Sequence, residues 1–121
     1  MKKRIACALL TLIMLVSLVP TAALTASAAT NAVSEPMIEV IKEREGFSEK
    51  AYWDNSQWSI GYGTKSEEGA TITKEEAEEA LLKELAEVDA AVNKFASSKG
   101  LGLSQSKHDA LVSFTYNCGS G

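Results

Sequence analysis

Glu45-Gly46-Phe47, followed by Ala51-Tyr52-Trp53-Asp54-Asn55-Ser56-Gln57-Trp58-Ser59-Ile60-Gly61-Tyr62-Gly63-Thr64, is the stretch whose periodicity decides the fold. Just upstream, Met37, Ile38 and Ile41 fall on one helical face. Ser34 is placed to cap that helix, Pro36 sits in its first turn and Gly46 can close its C-terminus. Inside the stretch the period drops to two. Ala51, Trp53, Trp58 and Ile60 then share one face of a hairpin and Tyr52, Asp54, Gln57 and Ser59 the other, around a two-residue turn at Asn55-Ser56. This register pairs Trp53 with Trp58 on the core side. It puts Asp54 diagonally across from Ser59 on the open side, at a spacing of roughly 7–8 Å that leaves room for one water. Gly61 and Gly63 continue the open face without side chains, so a ligand can approach the backbone there.

Two carboxyls nine residues apart, one ending a helix and one at a ribbon tip, supply the acid and the ionised partner that hydrolysis of a glycosidic bond needs. Glu45 meets the negative end of the helix dipole, and this together with partial burial favours its protonated form. Tyr52, Trp58 and Tyr62 suit either a core or a platform for a flat sugar ring. Taken one at a time the residues have plainer roles: a solvated charge, a turn residue and an ordinary strand serine. Glu43 and Glu49 read as surface, since neither precedes the Gly-Phe step.

Downstream, the capping box Thr73-Lys74-Glu75-Glu76 opens a long helix with a core stripe at Leu81, Leu85, Val88, Val92 and Phe95. The opposite side, residues 75–79 with Glu84 and Glu87, reads as solvated acidic surface. Gly100-Leu101-Gly102 breaks the pattern. Ser104 then caps a last helix over residues 105–117, with Ala110, Leu111 and Phe114 as its apolar side. The expected class is α+β, with a small hairpin lobe between an N-terminal helix and a helical lobe.

A chain of 121 residues allows one domain. Residues 1–29 read as an export signal: Lys2, Lys3 and Arg4 precede an apolar run over residues 5–19, and Ala26-Ser27-Ala28 is a cleavage site. Retained, the same run would be a membrane anchor, and in either case the chain works outside the cytoplasm. Residues 30–35 read as a polar linker and 36–121 as the folded domain. Losing the signal removes three of the 12 Lys and Arg and none of the 16 Asp and Glu, leaving nine basic against 16 acidic residues, net −7. No basic patch for nucleic acid remains, and long-range attraction to an anionic wall is excluded, so polysaccharide must be held by a shaped cleft. Cys118 has no partner left for an internal disulfide and reads as a buried apolar side chain. His108 is the single histidine, with no second His or paired Cys at ligand spacing, so neither metal nor other cofactor is expected.

The segments Ile41-Lys42-Glu43-Arg44-Glu45-Gly46-Phe47, Ala51-Tyr52-Trp53-Asp54 and Ile60-Gly61-Tyr62-Gly63-Thr64, with residues 73–77 and 109–117, resemble in order the motifs of the phage-type lysozymes. The resemblance runs from Met37 to the end of the chain. It implies a lysozyme-like fold and a monomeric muramidase that cuts the β-1,4 bond between N-acetylmuramic acid and N-acetylglucosamine in peptidoglycan. Glu45 and Asp54 match the family's catalytic pair, and Ser59 stands where the family usually has threonine. Tyr52, Gln57, Gly61, Tyr62 and Gly63 are the substrate-binding candidates. Asp54 and Ser59 are one residue closer than in the family's best-known member. The chain also ends inside a motif that relatives follow with further helices, so weak activity is expected from a fragment. A glycan-binding module without competent chemistry and a secreted interaction protein built on the Leu81 to Phe95 stripe are the alternatives.

Overall fold

A computed structural model describes residues 31–119; the export signal or anchor expected over residues 1–29 lies outside them. The element order is α1 (Glu35–Glu45), β1 (Ser48–Trp53), β2 (Trp58–Gly61), β3 (Thr64–Ser66), α2 (Lys74–Ser98) and α3 (Gln105–Cys118). The class is α+β: among the described residues there are three helices and one antiparallel sheet in the order β1-β2-β3. The short β3, which no periodicity announced, pairs along β2 from Trp58↔Ser66 to Ile60↔Thr64. The core joins Ile38 and Ile41 of α1, Tyr62 after β2, Ala77, Leu81, Leu85 and Val92 of α2, and Val112 of α3.

α1 ends where the sequence indicates, because Gly46 takes φ +69°, a conformation that only glycine adopts without strain, and its N–H returns to the Lys42 carbonyl at 3.0 Å. Its start differs from expectation. Ser34 is the N-cap residue, but its hydroxyl donates to Asp109 Oδ2 at 2.6 Å rather than capping its own helix, and its N–H donates to Asp109 Oδ1 at 2.9 Å. The charge-assisted bonds to Asp109 fix the Ser34 side chain, and they tie the N-cap of α1 to α3. Residues 31–34 are bound along their length. Asn31 donates to the Leu103 carbonyl and its own carbonyl accepts from Asn93, Gln105 reaches the Ala32 carbonyl, and the Val33 N–H meets both Asp89 oxygens at 3.1 Å.

The hairpin has the expected turn and pairing, with Asp54 N–H bonded to the Gln57 carbonyl and Trp53 facing Trp58. Its two sides do not divide as the alternation predicts. Trp53 is 57% exposed while Ser59, assigned to the open face, is wholly buried. β2 is the middle strand and is covered by α2, so it is buried whatever the parity, whereas the hairpin tip projects beyond any cover. The register also slips between Ser48 and Tyr52, where Glu49 and Ala51 bond to Ile72 and Ala70.

α2 is opened by the predicted capping box, in which Thr73 Oγ1 accepts from the Glu76 N–H at 3.2 Å and Glu76 Oε2 accepts from the Thr73 N–H at 2.9 Å. Its stripe is buried at Leu81, Leu85 and Val92, but Phe95 is 51% exposed. α3 turns a different face inward from the one its apolar residues suggest. His108, Asp109 and Val112 are buried, while Ala110 is exposed and Phe114 is 65% exposed. The polar anchor is Asp109, which bonds Ser34 on the inner side, with the buried His108 ring 3.5 Å from Asp89 and without a hydrogen bond, and this leaves the Phe114 side outward. Phe95, Leu111 and Phe114 line an open apolar groove of about 280 Å³ between α2 and α3. Cys118, expected inside, is an exposed free thiol.

Candidate active site

Glu45 is brought to the site by the end of α1 and lies against the Tyr62–Gly63 peptide; a Cβ built on Gly63 would sit 3.5 Å from Glu45 Oε2. Glu45 is half-buried, and burial first, with the negative charge of Glu84 second, pushes its pKa above the ordinary glutamate value. The direction is the one expected from the helix end and partial burial; the charge of Glu84 is the cause that sequence alone does not supply.

Asp54 is built from its own turn. Its Oδ1 accepts from the Ser56 and Gln57 N–H groups at 3.2 and 3.1 Å and from the Ser56 hydroxyl at 3.0 Å, the self-bonding that favours Asp at a hairpin start. Asn55 takes φ 75°, which Asn tolerates better than most residues. Asp54 Oδ2 accepts from Ser59 Oγ at 2.6 Å, so no water stands between the two groups as the diagonal spacing had implied. The aspartate leans in from the turn and closes the gap. The Ser59 hydroxyl is the main influence and the two turn N–H groups assist, holding the Asp54 carboxyl down to about 2 against a smaller opposing effect of burial. Gln57 Nε2 lies 3.5 Å from Ser59 Oγ.

The remaining candidates separate by position. Tyr52 is exposed beside the site and pairs across the ribbon with Ser59. Gly61 does not continue an open face: it is buried, at φ +63°, with its Cα so near α2 that an added Cβ would meet Ala77 Cβ at 2.9 Å. Tyr62 is in the core, 5.7 Å from the Phe47 ring and 5.9 Å from Lys42 Nζ. Lys42 in turn bridges α1 to α2 through Glu78 at 2.7 Å, which takes Glu78 out of the purely solvated face. Two further groups stand nearby: Tyr116, which nothing in the sequence singles out, and Glu84, which reads from sequence as part of the solvated acidic face. Tyr116 of α3 donates to the Tyr62 carbonyl at 3.4 Å, and half-buried Glu84 of α2 shares a cleft wall with it. The flanking position of Glu84 between Leu81, Leu85 and Val88 was the available signal. Among the described residues no group of three or more His, Cys, Asp or Glu could hold a metal ion, and no helix is long and apolar enough to cross a membrane.

A small antiparallel sheet set between an N-terminal helix and a helical lobe is the arrangement of the lysozyme-like class of α+β folds, and the two carboxyls, one with its pKa raised and one with it lowered, lie at the junction of α1 and the ribbon. The sequence profile of the family described as phage lysozyme matches residues 42–121, and the chain belongs to that family. It is similar to an endolysin of Acyrthosiphon pisum secondary endosymbiont phage 1, at 34% identity over 90 residues, covering 72% of this chain and 60% of the relative. Among solved structures it resembles the muramidase domain of SpmX from Asticaccaulis excentricus, at 35% identity and TM-score 0.67, covering 74% of this chain and 61% of that one. It also resembles an endolysin from Escherichia coli O157:H7 phage FAHEc1, at 35% identity and TM-score 0.56, covering 74% and 60% respectively. The chain thus spans about 60% of the length of these relatives.

Proposed function

We propose that the chain is a peptidoglycan hydrolase acting on the bacterial cell wall, which cleaves the β-1,4 linkage between N-acetylmuramic acid and N-acetylglucosamine. The observation that carries this reading is the opposed state of the two carboxyls: Glu45 biased toward its acid form, Asp54 toward its anion. Glu45 gives its proton to the leaving glycosidic oxygen. Asp54, from the other side of the sugar, withdraws a proton from the attacking water or stabilises the positive charge that develops. Buried Ser59 donates its hydroxyl proton to Asp54 and accepts from Gln57 Nε2, so in this reading it acts on the attacking water by holding the aspartate that orients it. Tyr52 and Gly63 border the same space and are the substrate contacts this geometry favours, while Gly61 and Tyr62 support the site through packing. With water rather than carboxylate as nucleophile the anomeric centre inverts, which corresponds to carboxyls roughly 6.5–9.5 Å apart. The work is done outside the cytoplasm, after export directed by residues 1–29, by a monomer that needs no cofactor.

A second reading, glycan binding with weak or no turnover, is favoured by the open groove at Phe95, Leu111 and Phe114 in a chain that spans about 60% of the length of the relatives it matches. Reducing-end release from purified peptidoglycan, compared between the wild-type chain and Glu45→Gln, tests the first reading. Equal release by both removes Glu45 from the mechanism, and binding of wall fragments without release leaves the second. The anomer first formed, followed by proton NMR, reports inversion or retention.

A further inference from the structure

We propose that Lys42 is a positioning residue for Glu45, tying the last turn of α1 to α2 so that the carboxyl is held in one place beside Gly63, a role that rests on the reading of Glu45 as the proton donor. That turn has no apolar anchor. The buried residues of α1 are Ile38 and Ile41, and the four that follow, Lys42, Glu43, Arg44 and Glu45, carry charged side chains only. Gly46 then ends the helix at φ +69°. Helix ends without buried apolar contacts fray, and here the final helical residue is the donor itself.

Among the described residues, Lys42 is the one member of this turn whose side chain makes a hydrogen bond. Its Nζ donates to Glu78 Oε1 of α2 at 2.7 Å and to Glu39 Oε1 of α1 at 3.1 Å, and the side chain is 18% exposed. The bond to Glu39 stays within α1 and cannot hold the helix against anything else. Only the bond to Glu78 crosses between elements. The same ammonium lies 5.9 Å from the centroid of the core residue Tyr62, and the residue after Tyr62 is Gly63, where an added Cβ would meet Glu45 Oε2 at 3.5 Å. The Lys42 carbonyl accepts from the Gly46 N–H at 3.0 Å, closing α1 directly after Glu45. The backbone of Lys42 therefore sets where the turn ends, and its side chain sets how that turn stands against α2 and Tyr62. Phe47, with its ring 5.7 Å from that of Tyr62, anchors the chain beyond the helix, but Gly46 separates it from the helical turn. Lys42 touches no reacting atom in this scheme; it places the group that does.

Two measurements on the full chain test this, in wild type, Lys42→Met, Lys42→Arg, Glu78→Met and Glu39→Met. Methionine at 42 keeps an apolar stem over Tyr62 and removes the ammonium. Amide hydrogen exchange at residues 44–46 speeds about two- to fivefold in Lys42→Met and Glu78→Met, the loss expected for an ion pair of this kind, while exchange at Ile38 and Ile41 holds. Lys42→Arg and Glu39→Met match wild type. In reducing-end release from purified peptidoglycan, kcat falls about tenfold in Lys42→Met and Glu78→Met with KM unchanged, within the roughly 100-fold that a 1 Å misplacement of a reacting group costs. A merely structural pair would lower the urea midpoint and leave the kcat of the folded chain unchanged. Exchange needs no turnover, so an inactive wild-type chain defeats the proposed function and leaves exchange to decide whether Lys42 tethers the turn. Should Lys42→Met fail to fold, Glu78→Met removes the same bond from the other side. Unmoved exchange at residues 44–46 in the folded variants, an equal rise in Glu39→Met, or an undiminished kcat in Lys42→Met and Glu78→Met overturns the proposal.

Discussion

Replacing Gly61 with alanine places a methyl group 2.9 Å from Ala77 Cβ, on a backbone held at φ +63°. Two costs combine. A left-handed backbone costs an L-residue about 1–2 kcal/mol. Overpacking a tight core adds about 1–3 kcal/mol, and here the opposing atom is a methyl fixed to a helix backbone, which cannot swing aside. The expected loss is therefore about 2–5 kcal/mol, a large part of the stability of a domain this small. Gly69→Ala is the matched control. Gly69 also has positive φ, at +78°, with nothing near the added atom, so it loses only the backbone part, about 1–2 kcal/mol. Urea unfolding followed by the fluorescence of Trp53 and Trp58 measures both. Ala77→Gly removes the opposing methyl. Combined with Gly61→Ala it should return the packing part, so the double variant loses less than the sum of the singles. Equal losses for Gly61→Ala and Gly69→Ala, or strict additivity with Ala77→Gly, would refute the close approach of β2 to α2.

Glu45→Gln stabilises the fold at neutral pH: a carboxyl whose pKa is raised by folding contributes stability below its unfolded value, lost as pH rises through the folded one, and glutamine keeps the uncharged form throughout. Urea midpoints at pH 3 and pH 7 for both chains check the sign. In Ser59→Ala the Asp54 carboxyl rises from about 2, and under the proposed mechanism the acid limb of any wall hydrolysis moves to higher pH, while Ser59→Thr retains the bond and the limb; turbidity clearing against pH checks this. Burial opposes ionisation of Asp109, but the Ser34 hydroxyl and N–H with Gln105 outweigh it and lower its pKa. Its contribution is present above the ordinary aspartate value and lost as pH falls through the folded one, and Asp109→Asn flattens the acid branch of the stability profile while speeding exchange of the Ser34 amide. Thr73→Ala breaks the capping box and costs about 1 kcal/mol in thermal or urea unfolding.

Local signals carried much of this architecture. The Gly46 stop, the Asn55-Ser56 turn and the Thr73 capping box depend on backbone preferences and on bonds spanning three or four residues, and each stands where its signal lies. Periodicity misled wherever burial was decided by a distant partner. Ser59 is buried because β2 became a middle strand, and Phe114 is outside because Asp109 anchors α3 to Ser34 at the start of α1. Of the candidate site, the identity of Glu45, Asp54 and Ser59 was legible as a motif. The direct Asp54–Ser59 bond, the packing role of Gly61 and the presence of Glu84 and Tyr116 were not, since each depends on a distance that no spacing along the chain specifies.

By itself, then, the order of residues determined which segments are helix or ribbon, where they stop, and which two acids could share a reaction, because these follow from short-range sterics and side-chain chemistry. Only the folded arrangement shows what separates the two carboxyls. That difference comes from burial beside Glu84 at one carboxyl and a 2.6 Å hydroxyl donor at the other, and desolvation and hydrogen bonding exist only once distant parts of the chain are packed together.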